Sequence, residues 1–379
     1  MTVLMDRYPG IDDLEKRARR RLPRFSWEYL ASGTGDESAM HRNRSAMLDI
    51  ELLPQLMKGV LDPDTTTELF GVEHVAPIGV APVGMSGLIW PGADLSLANA
   101  AQAGRFPHVL STVATTAPED IGPVAGDMGW FQLYPPRDPE LRQSMLDRVA
   151  ASGYRTLVVT ADVPAGSRRE RQRKARIRVP PRITPPLILQ SALNPAWSLG
   201  VLRHGIPRFR MIEEYIPGGS LAAVAGFVGA SLGGSLSFDY LSDVRDRWDG
   251  NLVVKGILHP DDARRSVEHG ADAVWVSNHG GRQLEASPAA ISCLRPIVDA
   301  LDGSVPVLFD SGVRSGADVA RAISLGADFV FAGRPFYFGL GALGDRGAAH
   351  AFEILRDGLV NVMHQTGCET FAELRDRHA

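Results

Sequence analysis

HPDDARRSVEHGADAVWVS, residues 259–277, decides the fold of this chain. A helix-length polar and charged segment runs up to Gly270, the residue type that favours a helix C-cap. Ala273 to Val276 then make an apolar run of strand length. The same order returns at residues 314–333, RSGADVARAISLGADFVFAG: helix, Gly-Ala-Asp, strand. Such an echo is consistent with repeated strand–helix units.

Working outward, further apolar runs of the same kind predict strands at residues 78–81, 109–111, 130–133, 157–160, 252–255, 273–277, 307–310 and 329–332. Helical patterns separate them, clearest at 94–103, 139–151, 261–269, 288–300 and 316–325. Gly104, Gly153, Gly270 and Gly326 stand at helix ends. Eight strands alternating with helices predict an α/β fold, a (β/α)8 TIM barrel. The chain is read as one barrel domain over residues 1–379. Residues 1–70 form a helical preface, amphipathic at 11–21 with a second helix around 26–31. A long insertion without structure of its own, residues 165–235, follows the fourth strand, and an insertion of that length over a barrel mouth usually has a function.

Barrels carry their chemistry on the loops after the strands. Those loops hold Ser111, Gln132, Tyr134, Thr160, Asp162, Lys255, Ser277, His279, Asp310 and Arg334. After the sixth strand comes SNHGGRQLE, residues 277–285. Its His279 can accept a proton, its Arg282 can hold a carboxylate with two parallel N–H groups, and two glycines let the backbone turn tightly. A His–Arg pair on a loop is more often structural, so the pair gains meaning from its place. After the seventh strand, Asp310-Ser311-Gly312-Val313-Arg314-Ser315-Gly316 offers backbone N–H groups, a helix start and an arginine. After the eighth, Gly333-Arg334-Pro335 repeats the pattern. Paired loops of this sort suit a phosphate, and barrels commonly bind phosphate there.

The rest of the chain excludes several classes. It has 379 residues, 44% hydrophobic and 22% charged, with net charge −4, an ordinary globular balance that points to no nucleic-acid partner. Cys293 and Cys368 are too few for a disulfide framework or a thiolate metal cluster, and no metal is expected. The N-terminus shows no signal pattern and no apolar run reaches spanning length, so the cytoplasm is the expected compartment. Residues 168–182 hold seven arginines (Arg168, Arg169, Arg171, Arg173, Arg176, Arg178, Arg182) and Lys174 against Glu170. An apolar stretch with Leu187, Ile188, Leu189 and Trp197 follows. This suits either peripheral contact with the inner membrane face or a mobile lid or oligomer contact.

Together SNHGGRQLE, DSGVRSGADV, AGRP, FQLY and LVVKGILHPDDA resemble the FMN-dependent 2-hydroxy acid dehydrogenase/oxidase family, over residues 11–368 or nearly the whole chain. PVGMSGLIWPGADLSLANAA and ALNPAWSLGVLRHGIPRF are most similar to its (S)-mandelate dehydrogenases. The resemblance implies FMN as cofactor and an (S)-2-hydroxy acid, mandelate-like, as substrate. It implies a 2-oxo acid product, a quinone or other acceptor for the electrons, and a homo-oligomer, as a rule a tetramer. His279 is implied as the base, Asp162 as its orienting carboxylate, and Arg282 and Arg169 as the carboxylate clamp, with Arg168 as the alternative to Arg169. Tyr29 and Tyr134 are implied to hydrogen-bond the substrate, and Lys255 to stabilise negative charge on the reduced ring. For the cofactor it implies Ala81, Pro82, Val83 and Gly84 along the ring, and Ser111, Gln132, Thr160 and Ser277 on the ring and ribityl chain. Asp310, Ser311, Gly312, Arg314, Gly333 and Arg334 are implied around the phosphate.

Simpler readings stay open for some of these: a structural Asp162–Lys255 ion pair, or a packing role for Tyr29. Departures from the family pattern also matter. Gly84 stands where the oxidases carry Ala, Val83 where Thr is commoner, and Val113 where a glycolate oxidase has Trp. The smaller Val113 leaves room for a bulky substrate, with Met85, Phe25 and the insertion as further candidate lining. The competing activities are an oxidase that makes hydrogen peroxide, a monooxygenase of the lactate type, and, outside the class, an FMN-binding isomerase.

Overall fold

The strand period is two, and the side chains sort accordingly. Val109, Trp130, Val158, Val253, Trp275, Leu308, Phe329 and Phe331 cluster together inside a barrel. Their neighbours Leu110, Phe131, Leu157, Leu252, Val274, Phe309 and Val330 face the surrounding helices. Alternation of this kind fills a small barrel while seating its helical coat. The computed structural model describes residues 3–175, 184–216, 221–233 and 236–378.

The barrel strands are β1 (Ile78–Val80), β2 (His108–Ser111), β3 (Gly129–Leu133), β4 (Thr156–Thr160), β5 (Asn251–Ile257), β6 (Ala273–Val276), β7 (Val307–Phe309) and β8 (Phe329–Ala332). Each pairs in parallel with its sequence neighbours, and β8 closes on β1 with Val330 opposite Ile78. The eight strands are those the sequence predicts, within a few residues at their ends. The interior is plugged by aromatic rings, with Trp275 and Phe331 at 4.0 Å between centroids and Phe331 touching Trp130 and Phe329 as well.

Three features differ from the sequence reading. A hairpin of Thr67–Leu69 with Val72–His74 adds a two-stranded sheet, and its Phe70 and His74 pack on Trp130 and Phe329. Strands of three residues are too short to show a period. The helix expected to stop on Gly104 runs through it and is capped by Arg105 in the left-handed conformation. Third, the insertion is not without structure. Its described residues form helices Glu170–Lys174, Pro185–Ala192, Pro195–His204, Arg210–Glu213 and Leu221–Ser231. Pro185 and Pro195 sit in first turns, where the missing N–H costs nothing, so these prolines start helices. Arg176, Arg178 and Arg182 lie outside the described residues.

The preface follows expectation with helices Ile11–Arg21 and Arg24–Ala31, and adds Ser38–Leu48. The second of these brings Tyr29 to the barrel mouth. Phe25 packs edge-on against Trp197 of the insertion, with ring centroids 5.3 Å apart. Preface and insertion therefore meet above the strand ends.

Candidate active site

The loops at the C-terminal ends of the strands surround one cavity, which encloses about 970 Å3 of open space including its mouth. That is at the upper end for small-molecule sites. Tyr29, Ala81, Pro82, Val83, Gly84, Tyr134, Arg169, Lys255, His279, Arg282, Asp310, Ser311, Gly312, Arg314, Gly333 and Arg334 all line it. These come from the preface, the insertion after β4, strand β5 and the loops after β1, β3, β6, β7 and β8. Arg169 lines the cavity, whereas Arg168 is largely exposed and pairs with Glu170 at 3.1 Å. Of the two arginines, Arg169 is the one that faces the cavity.

His279 hangs from a turn in which His279, Gly280 and Gly281 have φ of 59°, 63° and 73°. Gly281 is required twice over: its φ is left-handed, and a Cβ there would lie 2.5 Å from the Met40 nitrogen. His279 has no such licence, and strain of this kind persists where the surroundings over-determine it. The restraints are visible. The Ser277 Oγ accepts from the His279 N–H at 3.0 Å, and His279 Nδ1 meets Asp162 Oδ1 at 2.9 Å. Asp162 in turn fits against β5 because Gly256, at φ +99° in a register shift, leaves room, since a Cβ would lie 2.6 Å from the Asp162 carboxyl carbon.

The electrostatics set the protonation states. Burial lowers the proton affinity of His279; the Asp162 carboxylate raises it, Lys255 and Arg169 lower it, and the sum falls below the ordinary imidazole value. Asp162 is the mirror case: burial alone would raise it, but His279 and Lys255 outweigh burial and keep it ionised. A carboxylate partner by itself would raise His279 above its ordinary value. Burial instead prevails, and the ring sits neutral beside a carboxylate.

Lys255 is buried at the end of β5. Its Nζ lies 3.1 Å from Asp310 Oδ2 and donates to Ser277 Oγ at 2.8 Å. Ser277 and Ser311 each donate to Asp310 Oδ1, at 2.6 and 2.7 Å. Lys255 therefore pairs with Asp310, not with Asp162 as a structural ion pair. Tyr29 likewise faces the cavity, where its Oη donates to the Gly84 carbonyl at 2.9 Å.

The cavity fits an anion. Arg169, Lys255, Arg282, Arg314 and Arg334 line it against the single carboxylate of Asp310. Burial and mutual proximity push Arg282 and Arg314 down to about 10, and Arg334 well below its usual range. Charges so crowded call for a counter-ion. Arg334 donates to the carbonyls of Leu30, Gly280 and Ser32, and Arg282 to those of Tyr29, Leu30 and Ser32. A guanidinium has five N–H groups, so each keeps donors for a ligand. The buried Gln132 Nε2 has no hydrogen-bond partner among the described residues.

Some expected residues sit behind this surface. Ser111 donates to Gln132 Oε1 at 2.8 Å, Ser277 to Asp310, and Thr160 is buried at the end of β4. None of Ser111, Gln132, Thr160, Ser277 or Asp162 is among the cavity-lining residues. The loop after β7 also differs in detail. The Asp318 carboxylate accepts from the backbone N–H of Arg314 and Ser315 at 2.9 and 3.1 Å, so those groups serve the helix start. Gly312, Val313 and Gly333 carry the backbone that faces the cavity. Met85 and Phe25, expected as lining, belong to the core, while Leu30, Ile89 and Phe331 line the cavity unanticipated. The paired amides of Asn43 and Asn278, at 2.7 and 2.8 Å, also escaped the sequence reading because 235 residues separate them.

A model of the FMN-dependent dehydrogenase family matches residues 18–379. The chain belongs to the FMN-dependent dehydrogenase family. As a member it is an FMN-dependent oxidoreductase of the 2-hydroxy acid dehydrogenase/oxidase kind. It is 37% identical over 367 residues to an L-lactate dehydrogenase of Ectopseudomonas mendocina (strain ymp), with 96% of each chain covered. It is 34% identical over 367 residues to an (S)-mandelate dehydrogenase of Pseudomonas putida, covering 96% of this chain and 92% of that one. The solved structure of a monotopic membrane protein, (S)-mandelate dehydrogenase, superposes with a TM-score of 0.92 at 33% identity, covering 98% of both chains.

Within this family member, Gly84 and Val113 are sterically coupled. A Cβ on Gly84 would stand 2.5 Å from Val113 Cγ2. Gly84→Ala is expected to lower the melting temperature and weaken FMN retention, because overpacking of this kind costs about 1–3 kcal/mol. Adding Val113→Ala should recover most of the loss. Equal effects of Gly84→Ala in both backgrounds, in a double-mutant cycle on melting temperature, would show that the two side chains do not compete for the space.

Proposed function

We propose that this chain oxidises (S)-2-hydroxy acids, mandelate-like ones foremost, to 2-oxo acids and passes the electrons to a quinone or comparable acceptor. The observation that carries the reading is His279 Nδ1 held by Asp162 in the same cavity as Arg169, Arg282 and Lys255. Bound FMN supplies the two-electron acceptor.

In this reading Arg169 and Arg282 hold the substrate carboxylate, and Tyr29 and Tyr134 hydrogen-bond its carboxylate or hydroxyl. His279, with Nδ1 committed to Asp162, takes the proton at Nε2, and Asp162 stabilises the resulting imidazolium. Lys255, buried and lining the cavity, would supply positive charge to stabilise negative charge on a reduced ring, most effectively away from water. Ala81, Pro82, Val83 and Gly84 would flank the ring, and Ser111, Gln132, Thr160 and Ser277, behind the cavity surface, would support its polar edge and ribityl chain. Gly312, Arg314, Gly333 and Arg334 would hold the phosphate, with Asp310 and Ser311 supporting them through Lys255 and the turn.

Val113, Ile89 and Leu30 give the cavity an apolar side suited to an aromatic ring. The identity to L-lactate dehydrogenases favours a second reading, in which a small aliphatic acid is the substrate. Anaerobic mixing with (S)-mandelate, (S)-lactate and glycolate, followed by oxygen, tests both. Fast bleaching by mandelate with slow recovery in air supports the dehydrogenase reading. Fast recovery makes the enzyme an oxidase or monooxygenase, and no bleaching by any of the three overturns the assignment.

The acceptor reading draws on the insertion. Ile188, Leu189, Leu193, Leu199, Leu202 and Ile206 are exposed on or beside two of its helices. No helix among the described residues is long and apolar enough to cross a membrane, and the similar mandelate dehydrogenase is described as monotopic. We therefore propose peripheral docking of this segment on an anionic bilayer. Leu199→Glu with Leu202→Glu should lower co-sedimentation with phosphatidylglycerol vesicles at least tenfold, since each buried Leu is worth about 1.5–3 kcal/mol. Unchanged co-sedimentation would remove the membrane from the reading.

A further inference from the structure

Residues 29–32, where the helix Arg24–Ala31 ends, are gripped from two sides. From the barrel, Arg282 reaches the carbonyls of Tyr29, Leu30 and Ser32 at 2.9, 3.3 and 3.1 Å, and Arg334 those of Leu30 and Ser32 at 3.2 and 3.0 Å. A helix C-terminus leaves carbonyls unpaired and carries partial negative charge, so cations settle there. From the insertion, the buried Gln172 donates through Nε2 to Ser32 Oγ at 3.1 Å and to the Tyr29 carbonyl at 3.4 Å.

Beside Gln172, Arg171 bridges two glutamates of the preface. Its Nε and Nη2 meet Glu28 Oε2 at 2.8 and 2.7 Å, and its Nη1 meets Glu37 Oε2 and Oε1 at 2.8 and 3.0 Å. Glu37 also accepts from the Gly33 N–H at 2.9 Å, and Glu170 from the Gly35 N–H at 2.8 Å. Three consecutive insertion residues, Glu170, Arg171 and Gln172, are thus tied to the preface.

Immediately before them stands Arg169, with φ 43° at the start of the helix Glu170–Lys174 and its side chain in the cavity. A non-glycine residue in that region is disfavoured unless its surroundings hold it. Its own side-chain hydrogen bond goes from Nε to Ser167 Oγ at 2.9 Å, within the insertion. The restraint that relates Arg169 to the barrel therefore runs through residues 170–172. The two arginines of the proposed carboxylate clamp belong to separate pieces of chain, and both pieces are fastened to the same helix end.

We infer that Arg171 and Gln172, together with Glu28 and Glu37, are positioning residues that set Arg169 and Tyr29 against Arg282 at the spacing a substrate carboxylate needs. This rests on the proposed roles of Arg169 and Arg282. None of the four touches the reacting atoms; they act through the groups that do.

The test uses the FMN-loaded full chain and benzoylformate, a 2-oxo acid that is not oxidised, with its Kd read from the perturbed flavin absorbance. Arg171→Met and Gln172→Leu should each raise that Kd, and KM for (S)-mandelate, about tenfold or more, the effect of losing roughly 1.4 kcal/mol of binding. Flavin reduction at saturating substrate should change less than threefold, FMN should stay bound, and Arg171→Lys should recover part of the affinity. A purely structural staple would lower the melting temperature and leave Kd unchanged, which overturns the inference. Should Arg171→Met fail to fold, Glu37→Gln decides by the same readout. Arg169→Met separates the two levels. If it binds benzoylformate normally, the proposed clamp itself fails; if it loses binding while Arg171→Met does not, only the positioning role fails.

Discussion

His279→Gln is expected to retain FMN and to be reduced by (S)-mandelate about 10³-fold more slowly, within the range found for removal of a general base. Gln can occupy the site without disturbing it. Its amide N–H can donate to Asp162 in place of Nδ1–H, and the chain turn at 278–281 is fixed by Asn278, Ser277 and Ser311 rather than by the imidazole. What Gln cannot do is accept the substrate proton near neutral pH. The measurement is anaerobic stopped-flow reduction, with FMN content checked by absorbance. Reduction within tenfold of the wild-type rate would mean that another group takes the proton.

Asp162→Asn is expected to cost a further test of the same order, roughly 10²–10³ in the rate of reduction. Two physical effects combine. Asn can offer its own N–H to Nδ1, which favours the tautomer with the proton on Nε2 and so blocks the atom that must accept it. Asn also lacks the charge that stabilises the imidazolium. The pH profile carries the sign. Burial already holds His279 below its ordinary value, against the upward pull of Asp162. The acid limb of kcat/KM in the wild-type protein should therefore lie below pH 6.5. In Asp162→Asn the upward pull is gone while burial, Lys255 and Arg169 remain, so the limb should move to lower pH still. A limb that stays in place, or rises, would remove Asp162 from contact with the titrating group.

These two variants probe the part of the site that the sequence displayed most openly. His279, Arg282 and the glycines between them follow an apolar strand in one unbroken stretch. The loops of Gly312 and Gly333 repeat one pattern on adjacent strands. Both readings depend on short-range spacing, and the barrel places each loop at the strand end where the pattern predicts it. Lys255, Tyr134 and Asp310 are legible for the same reason. The direction of the His279 shift was not, since it depends on how completely the loops, preface and insertion shut out water. Nor was the partner of Lys255: Asp162 follows the adjacent β4 and Asp310 follows β7, two strands away, yet the ammonium meets Asp310.

The sequence by itself determined the eight strand–helix units, the (β/α)8 closure and the loops that carry the chemistry, because periodicity, glycine stops and strand-end polarity are local properties of the chain. Tertiary structure alone decided what joins distant segments. Arg169 rather than Arg168 enters the cavity because the turn before Glu170–Lys174 points it there. The two proline-started helices of the insertion are placed by the preface, where Phe25 packs on Trp197 and donates its N–H to Gln190 Oε1. Asn43 pairs with Asn278, and Arg171 with Glu28 and Glu37, across more than a hundred residues of chain. Such contacts leave no local pattern, because each depends on two surfaces meeting only once the barrel has closed.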